Sequence, residues 1–196
     1  MLHGAYPLPF GERLGYALPA GDVPLTQRGD VMSRDTEGIG PVTVHLLADH
    51  PGAIAGVATL RWREWGQPID PAGLATWVAT TTREAGRGAL PVSWVALDAG
   101  GAALGAVGLV AYDWDDWPER TPWVAGLIVR PDRRGRGIGG LLLARLEAGA
   151  RSRGAARAWV ATGGRAIAFY ARCGWEVIAT VPGDAGDPVT ILAKRL

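Results

Sequence analysis

The hydrophobic pattern is clearest between residues 121 and 154, where a continuous apolar run gives way to helical spacing. The run Trp-Val-Ala-Gly-Leu-Ile-Val lies between Pro122 and Pro131. It predicts a strand over residues 121–130 that is covered on both faces. From residue 138 apolar side chains recur every three or four positions, which predicts an amphipathic helix. Its apolar side comprises Ile138, Leu141, Leu142 and Leu146, and its charged side comprises Arg145, Glu147, Arg151 and Arg153, with Glu147 and Arg151 one turn apart.

The same patterns predict the elements on either side of this unit. Alternation predicts strands at residues 42–48, 91–97, 103–112, 157–162, 175–181 and 189–194. Helical spacing predicts helices at residues 52–65, 70–85 and 163–173. The first two helices follow Asp49 with Pro51 and Asp70 with Pro71, which suit cap and early-helix positions. Residues 1–41 are predicted to be an irregular extension, which is a tag or an upstream reading if Met32 is the natural start.

The turn between the central strand and helix predicts an anion-binding site. It reads Arg-Arg-Gly-Arg-Gly-Ile-Gly-Gly from residue 133 to residue 140. Its glycines let a ligand approach the backbone closely, and the start of the helix directs unpaired N–H groups and a positive dipole at that ligand. A diphosphate satisfies both, and arginines add donors suited to phosphate oxygens. Gly135, Gly137 and Gly140 also fit a dinucleotide fingerprint, but the acidic residue expected about 20 positions later is missing.

This turn and a second motif resemble the GNAT superfamily of acetyl-CoA-dependent N-acyltransferases. Arg134-x-x-Gly137-x-Gly139 fits its R/Q-x-x-G-x-G/A pattern. Residues 166–175 fit its A-x-x-F-Y-x-x-x-G-F/W signature, and two motifs in the family's order are more specific than one. The resemblance implies an α/β (α+β) GNAT fold over residues 42–196. It implies a mixed, mostly antiparallel sheet of about six to seven strands, about four flanking helices, and a splay between the fourth and fifth strands.

The resemblance also implies acetyl-CoA as co-substrate and carries binding residues onto this chain. Leu127, Ile128 and Val129 would hold the pantetheine and the reacting carbonyl through their backbone, with Gly126 as the place where the strand distorts. The remaining cofactor residues are Arg134, Gly135, Arg136, Gly137, Ile138, Gly139, Gly140 and Phe169. Tyr170 aligns with the tyrosine that protonates the departing thiolate, and a phenol with a pKa of about 10 can do so at neutral pH. A core tyrosine with a buried hydroxyl partner is the alternative.

The sequence specifies the binding site of the amine acceptor less clearly than that of the cofactor. Asp113, Asp115 and Asp116 lie among tryptophans in one loop and could hold an ammonium by charge and cation–π contact, whereas a solvated hairpin end is the alternative. Trp65 lies on a helix that flanks the substrate cleft in the family, and core packing is its alternative. The resemblance implies a primary amine acceptor, which is expected to be a small molecule, with a protein amine as the alternative.

The general base is not evident. Ala125 and Gly126 stand where some family members carry a glutamate, so the candidates are the acidic loop, including Glu119, acting through water, and His45. Gly163 and Gly164 stand where the family often has an asparagine. Cys173 has no histidine in its motif to activate it, so direct attack by the amine is preferred to an acyl-enzyme, and a small buried side chain beneath the cofactor is predicted.

Composition narrows the classes of protein. The chain has 196 residues, 48% of them hydrophobic and 20% charged, which suits one globular domain. A net charge of +1 gives no case for a nucleic-acid or membrane surface, although residues 130–157 hold eight arginines against two carboxylates, a local +6. One cysteine, no transmembrane run and no secretory pattern predict a cytoplasmic protein, and three histidines show no metal-ligand spacing.

A catalytically idle acyl-CoA sensor is the alternative function. A homodimer is compatible with the family, but no stretch specifies an interface.

Overall fold

A seven-stranded sheet forms the centre of the computed structural model, which describes residues 40–66, 73–114, 117–183 and 187–196. The strands are β1 (Thr43–Leu46), β2 (Val92–Leu97), β3 (Ala103–Val110), β4 (Trp123–Val129), β5 (Arg157–Thr162), β6 (Glu176–Pro182) and β7 (Pro188–Arg195). Their order in the sheet is β1-β2-β3-β4-β5-β7-β6, and only β4 and β5 run parallel. The predicted mixed, mostly antiparallel sheet is confirmed.

Four α-helices are present within the described residues. They are α1 (Ile54–Arg61), α2 (Leu74–Glu84), α3 (Ile138–Arg151) and α4 (Arg165–Arg172). The first predicted helix is shorter than expected, because a 3₁₀ turn at Pro51–Ala53 precedes it and a π turn at Trp62–Gly66 follows it. Asp49 does not cap it and instead pairs with Arg87. Asp70 and Pro71 lie outside the described residues, and so does the N-terminal extension except residues 40 and 41.

Helices cover the sheet on both faces, because successive strand residues point to opposite sides. On one face α3 buries Ile138, Leu142 and Leu146 against a cluster that includes Trp94 of β2. On the other face α1 packs Val57 and Leu60 against strand residues that include Val95, the neighbour of Trp94. Within the described residues, no helix is both long and apolar enough to span a membrane.

Glu147 corrects the predicted charged side of α3. Its side chain is only 7% exposed, because position 147 follows Leu143 by one helical turn on the apolar side. Its carboxylate accepts hydrogen bonds from Trp175 Nε1 at 3.0 Å and from Lys194 Nζ at 2.9 and 2.8 Å. The expected partner Arg151 is farther away, at 3.7 Å, and half exposed. This ion pair therefore ties α3 to the last strand of the chain.

Replacing Lys194 by Met should lower the free energy of unfolding by about 2 kcal/mol. Loss of one partner of a fully buried pair costs about 3–5 kcal/mol because the other charge stays desolvated, and the 23% exposure of Lys194 reduces that figure. Replacing Arg151 by Met is the matched control, with an expected loss below about 0.5 kcal/mol. Urea unfolding of both variants measures the difference. Equal losses would contradict the assignment of Lys194 as the main partner of Glu147.

Candidate active site

The sheet opens between β4 and β5. The two strands are registered at a single pair, Trp123 with Trp159, near the start of β4. Both strands then run in the same direction without further registered pairs, so a slot widens toward their C-terminal ends. The predicted splay between the fourth and fifth strands is therefore confirmed, and the two tryptophans close its narrow end.

β4 is also distorted along its other edge, where it pairs with β3. Ala106 pairs with Ile128 and Gly108 pairs with Ala125, so Gly126 and Leu127 together face the single residue Val107. This is a β-bulge, and Gly126 adopts φ +58°, which favours glycine. The strand is therefore bent at the residue where the sequence predicted the distortion.

The glycine-rich turn lies at the wide end of the slot. Gly135 and Gly137 have φ values of +76° and +81°, and a Cβ built at either position, or at Gly140, would meet no heavy atom of the described residues within 4 Å. α3 begins at Ile138, so the first N–H groups of a 14-residue helix face this open space. Ile138 itself is 1% exposed, so only its backbone can serve a ligand. The geometry suits a diphosphate.

The arginines of the turn differ in their contacts. Arg130 pairs with Asp132 through two hydrogen bonds of 2.7 and 3.2 Å, and this contact lowers the pKa of the Asp132 carboxyl. Arg134 donates through Nε to Val129 O at 2.9 Å and through Nη2 to Glu64 at 2.7 Å. Arg134 thus fastens the turn to β4 and to the π turn after α1. Glu64 was not anticipated from the sequence.

The second motif lies against the first. A Cβ built at Gly139 would be 3.3 Å from two ring carbons of Phe169, so the α3 N-terminus and α4 touch here. Tyr170 is 3% exposed, and its ring meets Phe169 and Trp175 edge-on, with ring centroids 5.3 and 5.4 Å apart. Tyr170 therefore lies buried beside residues of the predicted cofactor site. Its catalytic role stays a prediction.

The surroundings of Cys173 disfavour its thiolate form. Burial raises the pKa of its side chain, and Glu147 acts in the same direction while Lys194 opposes it. The side chain is half-buried rather than fully buried, and it packs against the core. A thiol with a raised pKa is a poor nucleophile at neutral pH.

In the aromatic loop before β4, an arginine of the protein itself lies against the tryptophan rings. The guanidinium of Arg120 lies 3.4 Å from the ring centroid of Trp117 and 4.5 Å from that of Trp159. One face of each ring is therefore occupied by Arg120. Asp113 is half-buried, whereas Asp115 and Asp116 lie outside the described residues.

Two other acceptor-side candidates are placed by the structure. Trp65 is half-buried and packs against the core cluster under α1, which fits the packing alternative. His45 lies on β1, three strands from β4 and thus about 14 Å away at a spacing of about 4.8 Å per strand. It contacts Thr43 Oγ1 at 2.8 Å and the ring of His50, so His45 is not positioned to act as the base.

A buried polar group that the sequence reading missed lies beside the bulge. Arg61 is 4% exposed, and its Nη1 donates to Glu84 at 2.5 Å and to Thr81 Oγ1 at 3.4 Å. The sequence did contain a signal for this burial, because Arg61 follows Val57 by one helical turn and so lies on the apolar side of α1.

The slot, the bulge and the glycine-rich turn together suit a long ligand that carries a diphosphate. The sequence profile of the acetyltransferase (GNAT) family matches residues 54–175, which is more than half of the chain. The protein therefore belongs to the GNAT family of acetyltransferases and is an acyltransferase that uses acetyl-CoA.

Solved structures share the fold. An aminoglycoside 6′-N-acetyltransferase complexed with coenzyme A superposes with a TM-score of 0.64 at 14% identity, over 78% of this chain and 96% of the other. A GCN5-related N-acetyltransferase from Kribbella flavida gives 0.63 at 20% identity, over 79% and 98%. The aminoglycoside 6′-N-acetyltransferase from Enterococcus faecium gives 0.62 at 15% identity, over 78% and 96%. No curated protein sequence matches this chain.

Replacing Gly126 by Ala should destabilise the protein more than replacing Gly101 by Ala. Both residues have positive φ, which costs a non-glycine residue about 1–2 kcal/mol. A Cβ at Gly101 meets nothing within 4 Å, whereas one at Gly126 would lie 3.1 Å from Arg61 Nη2, which adds about 1 kcal/mol or more of overpacking. Thermal and urea unfolding of the two variants measure the difference. A Gly126 variant no less stable than the Gly101 variant would contradict the close approach of Arg61.

Proposed function

We propose that this protein moves the acetyl group of acetyl-CoA to a primary amine by direct attack within a ternary complex. The observation that carries the proposal is the continuous path from the glycine-rich turn, along the open edge of β4, to the bulge at Gly126. The turn receives the diphosphate and the slot receives the pantetheine. The thioester then lies next to the bulge, where the backbone of β4 can donate to its carbonyl.

The chemistry follows from this placement. The amine nitrogen attacks the thioester carbon, and the carbonyl oxygen becomes an oxyanion that backbone N–H groups stabilise. The C–S bond then breaks, the thiolate takes a proton, and the nitrogen loses one. Holding both reactants in the slot supplies orientation, which contributes several kcal/mol toward the barrier.

Direct attack is preferred over an acyl-enzyme because burial raises the pKa of the half-buried Cys173 thiol. Tyr170 is proposed as the acid that protonates the departing thiolate, because it sits beside Phe169, which packs on the first turn of α3. The proton from the amine leaves through the acidic loop and solvent.

The acceptor is proposed to be a cationic small molecule. Asp113, Asp115, Asp116 and Glu119 give the loop before β4 a negative charge that attracts an ammonium group. Two of the structural neighbours are described as aminoglycoside 6′-N-acetyltransferases, so aminoglycosides belong in the test set together with polyamines and amino-acid amides.

Steady-state turnover of acetyl-CoA over this panel tests the function, with release of the free CoA thiol as the readout and mass spectrometry of the product as confirmation. We expect at least one amine to raise thiol release well above hydrolysis and to gain one acetyl group. Thermal melts with CoA and acetyl-CoA run alongside. Stabilisation by both ligands without turnover of any amine would favour the acyl-CoA sensor instead.

Replacing Tyr170 by Phe should lower kcat by about 100-fold, a typical effect of removing a general acid. The dissociation constant of acetyl-CoA should stay within about twofold, because the ring and its contacts with Phe169 and Trp175 are kept. Stopped-flow or steady-state rates and isothermal titration calorimetry measure the two quantities. An unchanged kcat would mean that Tyr170 is a core residue only.

A further inference from the structure

Arg61 is a buried cation held beside the distorted strand. It belongs to α1, and its guanidinium is anchored on α2 by Glu84 and Thr81. Its Nε is buried and has no hydrogen-bond partner among the residues that the structure describes. Burying two charges costs several kcal/mol per ion before their attraction is counted, so apolar residues of similar size would give comparable stability. The presence of an ion pair here therefore calls for a reason beyond packing.

The guanidinium lies against the bulge itself. A Cβ built at Gly126 would be 3.1 Å from Nη2 of Arg61 and 3.3 Å from both Cζ and Nε. Three atoms of one planar group at nearly equal distances mean that the plane faces Gly126. Arg61 of α1 thus occupies the place beside the bulge that a side chain at position 126 would need.

A second polar side chain borders the same space. Ser93 of β2 pairs across the sheet with Gly108 of β3, which pairs with Ala125 of β4. The Ser93 hydroxyl is fully buried and, within the described part of the chain, has no hydrogen-bond partner. A Cβ built at Gly108 would be 3.4 Å from this hydroxyl and 3.8 Å from Arg61 Nη2, so small residues on β3 and β4 give the two groups room.

The acetyl end of the donor falls at this point of the slot. Gly126 precedes Val129 by three residues, which is about 10 Å of strand at about 3.3 Å per residue. Trp123 and Trp159 close the slot just beyond it. A ligand anchored at the glycine-rich turn and extended along β4 therefore reaches Gly126 with its far end. This step rests on the proposed function.

We propose that Arg61 is a positioning residue for the acetyl group of acetyl-CoA. It acts through β4: the guanidinium, fixed by Glu84 and Thr81, supports the bulge at Gly126 from the α1 side. The bulge in turn orients the backbone groups that hold the thioester carbonyl. CoA, which has no acetyl group, makes no use of this support.

The test is the double variant Arg61→Met/Glu84→Leu, which removes both buried charges and keeps most of the volume. Calorimetric titrations with acetyl-CoA and with CoA, thermal unfolding, and kcat on an accepted amine are the readouts. We expect Tm within a few degrees of the wild type and an unchanged dissociation constant for CoA. The dissociation constant of acetyl-CoA should rise about tenfold, and kcat should fall while KM for the amine changes little.

Arg63→Met, which removes an exposed arginine two residues away, is the matched control and should change none of these quantities.

The outcomes separate this inference from the proposed function. An unchanged ratio of the acetyl-CoA and CoA dissociation constants would overturn the role of Arg61, even if the wild type acetylates amines. A changed ratio in a protein that acetylates no amine would support the role of Arg61 and refute the proposed transfer. If the double variant does not fold, Arg61→Lys, which keeps the charge but loses the planar group, is judged by the same ratio.

Discussion

The whole site depends on one constraint, which is that β4 must part from β5 without unravelling the sheet. A strand that leaves its neighbour loses ladder hydrogen bonds, and those backbone groups need another partner. β4 keeps its pairing with β3 on one side, α3 packs across one face and α1 packs across the other. β7 completes the pairing of β5 along its full length. The opening is therefore local, and its exposed backbone is available for a ligand.

Buried and exposed charged side chains serve different purposes in this protein. Glu147 with Lys194 and Arg61 with Glu84 are ion pairs inside the fold, where removing one member leaves the other desolvated. The arginines of the glycine-rich turn lie at the surface, where they can exchange a carboxylate partner for phosphate oxygens at little cost. Arg134 belongs to the surface group, and it also ties the turn to β4 and to Glu64.

Several residues show where reading the sequence succeeded and where it did not. The glycine at position 126 was expected to distort the strand, and its φ of +58° follows from a property that glycine carries in any context. Glu147 was assigned to the solvent side because charged residues are rarely buried, but its partners come from 28 and 47 positions away. The tryptophans of the acidic loop were offered as a surface for an ammonium, with a solvated hairpin end as the alternative, and the structure places Arg120 over the ring of Trp117.

The order of the elements, the central strand–turn–helix unit and the glycine-rich turn were determined by the sequence itself. Each depends on periodicity or on residues adjacent in the chain, so local preferences are enough to specify them. Which charges are buried, which aromatic faces are covered, and what supports the bulge at Gly126 were decided only by the tertiary structure. Those features arise where segments distant in the chain meet, as Arg61, Glu84 and Gly126 do, and no local pattern records which side chain will fill a space that another segment opens.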